Sequence, residues 1–144
     1  MIALTHFVFG LSLAYVFNKR LVTASAFSLA PDIDITFNFL YPFTASGIMH
    51  SLMASMVATF LVYIYTEDVE SAKSCLLGYV ASGIGLDLLT KTGFPLLFPF
   101  SGDFGPSLFG STALAPNLSI LMLSIGLMLA KKHGIVSIDF RSNR

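Results

Sequence analysis

Charged residues are scarce in this sequence. Only 11% of the 144 residues are Asp, Glu, Lys or Arg, and tryptophan is absent. A soluble domain carries about a quarter charged residues, and a chain of this length has too little interior to hide so much apolar surface from water. With 55% hydrophobic residues and a mean hydropathy of +0.80, the composition indicates a membrane protein rather than a soluble domain.

Two further shortages restrict the partners and the chemistry. The formal net charge is zero, so the basic surface that binds nucleic acid is missing, and we expect no nucleic-acid partner. Cys75 is the single cysteine, which excludes a disulfide within the chain and favours a small buried side chain. Residues 1–17 lack a basic start and a clear cleavage site, so we interpret them as a helix of the mature protein rather than a signal peptide.

Apolar runs separated by polar residues predict five helical segments, two of them short for a full span of roughly 20 residues. The segments are residues 1–17, 21–30, 47–65, 73–92 and 113–130. The Gly-, Pro- and Phe-rich loop at 93–112 is predicted to lie at the membrane interface. We therefore predict an all-α membrane protein, a bundle of about five transmembrane or half-spanning helices over residues 1–133, with a short cytoplasmic tail at 134–144.

The basic residues predict the orientation of this bundle. When the segments alternate across the membrane, seven of the eight Lys and Arg fall on one side, and only Lys91 falls on the other. Basic residues mark the cytoplasmic side of short loops. We expect a multi-pass protein of the cell membrane with its N-terminus outside and its C-terminus in the cytoplasm.

Four ionisable residues, His6, Asp32, His50 and Asp87, fall at one predicted depth. At the helical rise per residue they lie about 18–24 Å from the basic or polar residues that end their segments. In a hydrocarbon core of about 30 Å, this level is near the headgroups of the outer leaflet. Ionisable side chains at membrane depth face the bundle interior and meet a partner, so we predict one site that faces the extracytoplasmic side.

The mixture of side chains at this level predicts a metal ion. Asp34 follows Asp32 closely, and three aspartates together (Asp32, Asp34 and Asp87) would repel one another or stay protonated unless a cation balanced them. Histidine nitrogen combined with aspartate oxygen suits Zn²⁺, Mn²⁺ or Fe²⁺ better than Ca²⁺. The predicted ligands of this divalent ion are His6, Asp32, Asp34, His50 and Asp87.

Each of these residues also has a structural interpretation. Asp32 and Asp34 could cap or turn the chain after a proline, His50 could cap a helix, and His6 could be an interfacial side chain. Asp87 is the hardest to explain in this way, because it stands among apolar residues. Their common depth favours a single site over four separate structural roles.

The order of these motifs resembles that of the YdjM-type membrane-bound metal-dependent hydrolases. The resemblance covers most of the chain, in the segments Thr5-His6 with Gly10, Leu29 to Asp34, His50-Ser51, Gly78-Tyr79, Leu86 to Thr90, and Gly93 to Pro99. Two positions depart from the family pattern. A His-Arg pair often precedes the His-Ser element, where this chain has Ala45-Ser46, and a histidine commonly stands four residues before the helix aspartate, where this chain has Gly83. The five predicted ligands still match, which is enough for one metal ion.

The resemblance implies a membrane-embedded, metal-dependent hydrolase, in which the metal activates a water and polarises an ester or phosphate. Asp34 or Asp32 would be the catalytic base. A site at headgroup depth points to membrane lipid as the partner, with a lipid or lipid-linked ester or phosphoester as the substrate. The alternative is a non-catalytic protein, either a metal-stabilised bundle or a small ion or proton carrier.

The orientation can be tested by cysteine labelling in a Cys75→Ser background. An Asp103→Cys variant should react with a membrane-impermeant maleimide added to intact cells, because residue 103 is expected outside. A His133→Cys variant should react only after the cells are opened. The reverse pattern would overturn the predicted orientation.

Overall fold

The computed structural model describes residues 3–33, 48–90, 96–97 and 114–136. Within these ranges the chain contains no strand and forms five helices. They are α1 (Ala3–Val16), α2 (Leu21–Phe27), α3 (Leu52–Thr66), α4 (the consecutive segments Val69–Leu76, Leu77–Ile84 and Gly85–Thr90) and α5 (Leu114–Lys132). A short 3-10 turn at Ala30–Asp32 follows α2, and another at Ile48–His50 precedes α3. For the residues described, the prediction of an all-α chain with about five helices is confirmed.

Several predicted boundaries were wrong. The helix predicted over 21–30 ends at Phe27, and the chain tightens into the 3-10 turn that contains Pro31. The helix predicted from residue 47 begins at Leu52, because the side chain of Ser51 accepts the backbone N–H of Ala54 at 3.1 Å and caps the first turn. The boundary predicted at residue 133 stays a prediction, since residues beyond 136 lie outside the described ranges.

The start of α4 was also misplaced, because the predicted helices at 47–65 and 73–92 left residues 66–72 as a polar connection, whereas the helix begins at Val69. Asp68 instead caps the helix: its carboxylate accepts the backbone N–H groups of Glu70 at 3.1 Å and Ser71 at 3.0 Å. The hydroxyl of Ser71 also donates to this carboxylate at 2.6 Å, and this bond is the main reason that the pKa of Asp68 lies below its usual value.

Two of the helices are long and apolar enough to cross a membrane. They are the α4 stretch Val69–Leu89 and α5, Leu114–Lys132, while α1 and α3 are shorter apolar helices. The outer surface is apolar, with Val22 81%, Tyr65 90% and Met122 69% exposed. The interior instead holds small polar side chains, among them Ser12, Ser25, Ser28, Ser55, Ser74, Ser82 and Ser124. Small residues of this kind let helices approach closely in membrane proteins.

Two glycines in α4 allow α2 and the following turn to lie directly on the α4 backbone. A Cβ added at Gly78 would stand 1.9 Å from the carbonyl oxygen of Ala24, and one at Gly83 would stand 2.7 Å from the Pro31 ring. This close approach carries Asp32, the residue after Pro31, towards α4. Gly85 does not serve in this way, because the nearest neighbour of a Cβ added there is the Val80 carbonyl of its own helix.

Basic side chains gather at the end of the bundle where α1 finishes. Lys19 forms an ion pair with Glu70 at 2.7 Å, and Arg20 lies 3.4 Å from Asp68. The Lys131 ammonium donates to the backbone carbonyls of Tyr15 and Val16 and to the Asn18 side chain. These carbonyls belong to the last turn of α1, where intrahelical donors run out and a cation is favourable.

The close packing of α2 on α4 predicts that a Gly78→Ala variant is destabilised by about 1–3 kcal/mol or more, because a methyl group at this position meets backbone rather than a movable side chain. The thermal unfolding midpoint of detergent-solubilised protein should fall accordingly. The matched control is Gly126→Ala in α5, where a Cβ meets nothing within 4 Å. An equal midpoint for the two variants would contradict the packing described here.

Candidate metal centre

Asp87 lies at the centre of a buried polar cluster. Its side chain is 0% exposed, and its two carboxylate oxygens face two different histidines. Oδ1 lies 3.3 Å from His6 Nε2, and Oδ2 lies 2.7 Å from His50 Nε2. The residues that the sequence placed at one depth on separate segments therefore meet in space.

The hydrogen bonds of His6 determine which of its nitrogens carries a proton. Nδ1 lies 3.1 Å from the backbone carbonyl oxygen of Ser82, and the Ser82 hydroxyl donates to the His6 carbonyl at 2.6 Å. A carbonyl oxygen can only accept, so Nδ1 must be the donor, and Nε2 of the neutral ring carries a lone pair. That lone pair lies near a carboxylate oxygen of Asp87, without the alignment of a hydrogen bond.

Two acceptors that face each other inside an apolar bundle need a proton or a metal ion between them. Donation of the second ring nitrogen to a backbone carbonyl is the usual arrangement around a histidine that ligates a metal. The geometry of His6 therefore fits a metal ligand that binds through Nε2.

Asp32 completes the group. One ligand atom each from His6, Asp32 and Asp87 lies within 4.8 Å of the others. Metal bonds of about 2.0–2.2 Å separate the ligand atoms by about 3–4 Å, so the three atoms need only draw together slightly. This His/Asp/Asp cluster could hold a metal ion, and its nitrogen and oxygen donors suit Zn²⁺, Mn²⁺ or Fe²⁺.

His50 lies on the far side of Asp87, outside this group of three. A histidine that donates to a metal-binding carboxylate holds that carboxylate in position, and the contact to Oδ2 gives His50 this geometry. Its role as a ligand stays a prediction. Asp34, the remaining predicted ligand and candidate base, lies outside the described residues.

The middle of α4 positions the Ser82 carbonyl that holds His6. Residues Leu77–Ile84 form a π-helix, which is wider than an α-helix and is frequent at functional sites. Sequence reasoning missed both the π-helix and Ser82, because a serine in an apolar segment gives no distinguishing signal.

A second buried polar pair, formed by the residue before His6, was also missed. The Thr5 hydroxyl donates to the side-chain oxygen of Asn117 at 2.8 Å and ties α1 to α5. Asn117 did offer a signal, since an amide in an apolar helix seeks a partner.

The departure at residue 83 has a structural explanation. The family histidine expected there would need a Cβ in the space that the Pro31 ring occupies, 2.7 Å away. In this chain the position is used for helix contact rather than for a ligand. The other departure, Ala45, lies outside the described residues.

The fold and the cluster define a helical protein with an apolar exterior and a buried His/Asp/Asp centre. A family model described as YdjM inner membrane protein matches residues 1–138. The chain therefore belongs to the YdjM inner membrane protein family, as its motifs predicted. Comparison with curated proteins and with solved structures gave no significant match.

The cluster predicts about one divalent ion per chain after purified protein is loaded with Zn²⁺ and desalted. His6→Ala and Asp87→Asn should lose this ion in elemental analysis, because each removes a ligand. His50→Ala should weaken binding by about 10–100-fold, as expected for a residue that positions a ligand.

Matched controls are His133→Ala and Glu67→Gln, which alter an exposed imidazole and an exposed carboxylate. Equal metal content in all the variants would rule out the site.

Proposed function

We propose that this protein is a membrane-embedded, metal-dependent hydrolase that cleaves a lipid or lipid-linked ester or phosphoester near the headgroups of the outer leaflet. The observation that carries the proposal is the lone pair of His6 Nε2 facing the Asp87 carboxylate, with Asp32 beside them. Buried groups of this kind at membrane depth are functional sites by default.

The residues of the cluster divide naturally into holding and reacting groups. A divalent ion held by His6, Asp32 and Asp87 would supply Lewis acidity and lower the pKa of a bound water to about 7. Ser82 orients the His6 ring, and His50 orients the Asp87 carboxylate. The other aspartate of the Pro31-Asp32-Ile33-Asp34 motif, Asp34, or Asp32 itself if it is not a ligand, would accept the proton of the attacking water.

The position of the cluster supports a lipid substrate. It lies near the start of α1, while the ion pairs of Lys19 and Arg20 lie beyond the end of the same helix. Because basic residues mark the cytoplasmic side, we infer that the cluster lies towards the extracytoplasmic face. Many exposed side chains of the described helices are apolar, which favours a substrate arriving from the membrane over one from water.

A non-catalytic function is the second candidate, and two observations favour it. His6 and Asp87 are both 0% exposed, and a family histidine is replaced by Gly83, which is packed against Pro31. A fully buried cluster with fewer ligands could stabilise the bundle through a metal or pass an ion or proton.

The hydrolase proposal predicts metal-dependent cleavage of fluorogenic esters or phosphodiesters by protein in mixed micelles. Chelation should abolish the activity, and Zn²⁺, Mn²⁺ or Fe²⁺ should restore it. Replacement of the base, by Asp34→Asn or Asp32→Asn, should lower kcat about 10²–10⁴-fold, whereas His133→Ala should leave it unchanged.

Two results would reject the enzyme. If metal-loaded protein cleaves none of the ester or phosphoester lipids but moves protons or divalent ions across liposome membranes, the protein is a carrier rather than a hydrolase. If it does neither and chelation lowers the unfolding midpoint, the metal is structural.

A further inference from the structure

A cavity of about 400 Å³ opens between α3 and the 3-10 turn that follows α2. This volume lies within the range of about 300–1,000 Å³ that small-molecule sites occupy. Three alanines line it, Ala30, Ala54 and Ala58, together with larger apolar side chains. We refer to it as the alanine groove.

The alanine groove presents almost no polar surface. Two lining residues carry hydroxyl groups, and both are engaged within the protein. The Tyr79 hydroxyl donates to the Met49 carbonyl at 2.7 Å, and the Ser51 hydroxyl accepts the Ala54 N–H at 3.1 Å. A ligand in this groove must therefore be hydrocarbon along the part that enters it.

One end of the groove adjoins the metal cluster. Its lining includes Ala30 and Ile33, which flank Asp32, and Met49 and Ser51, which flank His50. A molecule that filled the groove would place its end beside these two side chains.

The other end lies further along α3. The lining residues run from Ser51, which caps α3, to Leu61, ten residues further along, a rise of about 15 Å. This is half of a hydrocarbon core of about 30 Å, which is the depth occupied by the chains of one leaflet. The groove therefore starts at the cluster and extends through a single leaflet.

We propose that the alanine groove binds one straight acyl chain of a membrane lipid, with the carboxyl end of that chain at the cluster. The bond that is cleaved there rests on the proposed function, whereas binding of the chain does not. The groove would select substrates with an acyl chain and hold the ester or phosphoester beside Asp32.

Photolabelling in proteoliposomes tests the binding directly. The probe is phosphatidylethanolamine with a diazirine near either the carboxyl or the methyl end of one acyl chain. The first probe should label Ile33 and Met49, and the second should label Val57 and Leu61. Excess unlabelled lipid should compete for both.

A matched pair of α3 variants provides the control. Ala58→Phe places an aromatic ring in the groove. It should reduce this labelling about tenfold or more, because the ring occupies the space that the acyl chain would fill. Met56→Phe adds an aromatic ring to the same helix at a side chain that is 66% exposed and does not line the groove, and it should label like the wild type. Metal content reports whether Ala58→Phe has folded; if it has not, the labelling pattern of the wild type decides.

Three results would contradict acyl-chain binding in the groove. The first is labelling that lacks positional order and is equally strong at Met122 on α5. The others are competition by a polyprenyl phosphate but not by acyl lipid, and cross-linking of the groove to a second copy of the chain.

Activity separates this proposal from the previous one. If the labelling is ordered but no hydrolysis is found, the acyl-chain site is supported and the hydrolase proposal is rejected. If Ala58→Phe leaves the hydrolysis of long-chain esters unchanged, the groove proposal is rejected and the hydrolase proposal is supported.

Discussion

A carboxylate without contact to water is the constraint on which the rest of this bundle depends. Asp87 is fully buried in a chain whose exterior is apolar, and an isolated charge in such a place is costly. Two histidines from other segments face its oxygens, so helix α4 can pack only where α1 and the turn before α3 reach it. The polar cluster thus specifies how the helices assemble as well as where a metal ion could bind.

The small residues serve this same contact. Lipid gives apolar helices no hydrophobic reason to associate, so close van der Waals packing and interhelical hydrogen bonds must hold them together. Gly78 and Gly83 let α2 and Pro31 lie on the α4 backbone, and the Thr5 hydroxyl bonds to Asn117 across α1 and α5. The helix packing and the candidate site therefore depend on the same contacts, since the contact of Pro31 with Gly83 also determines the position of Asp32.

Much of this arrangement could be predicted from the sequence, for identifiable reasons. Hydropathy is a property of each segment alone, so the five helices followed from it. The common depth of His6, Asp32, His50 and Asp87 followed from the rise of a helix. Ser82 could not be found, because its role depends on a backbone carbonyl that every residue has. The π-helix at Leu77–Ile84 and the close contact of Gly83 with Pro31 depend on tertiary packing, which a single sequence does not display. The cap at Asp68 was overlooked because its acidic neighbours resembled a solvated loop.

In the proposed orientation α1 crosses the membrane, and its length then has a consequence for the bilayer. Its 14 residues, Ala3–Val16, cover about 21 Å, well below the thickness of about 30 Å of a typical hydrocarbon core. Lys131 binds the carbonyls at one end of this helix, and His6 lies one turn from the other. A bilayer adapts to such a mismatch by thinning locally. Headgroups and water would then sink towards His6, so that a cluster buried within the protein has only a short distance to the aqueous phase.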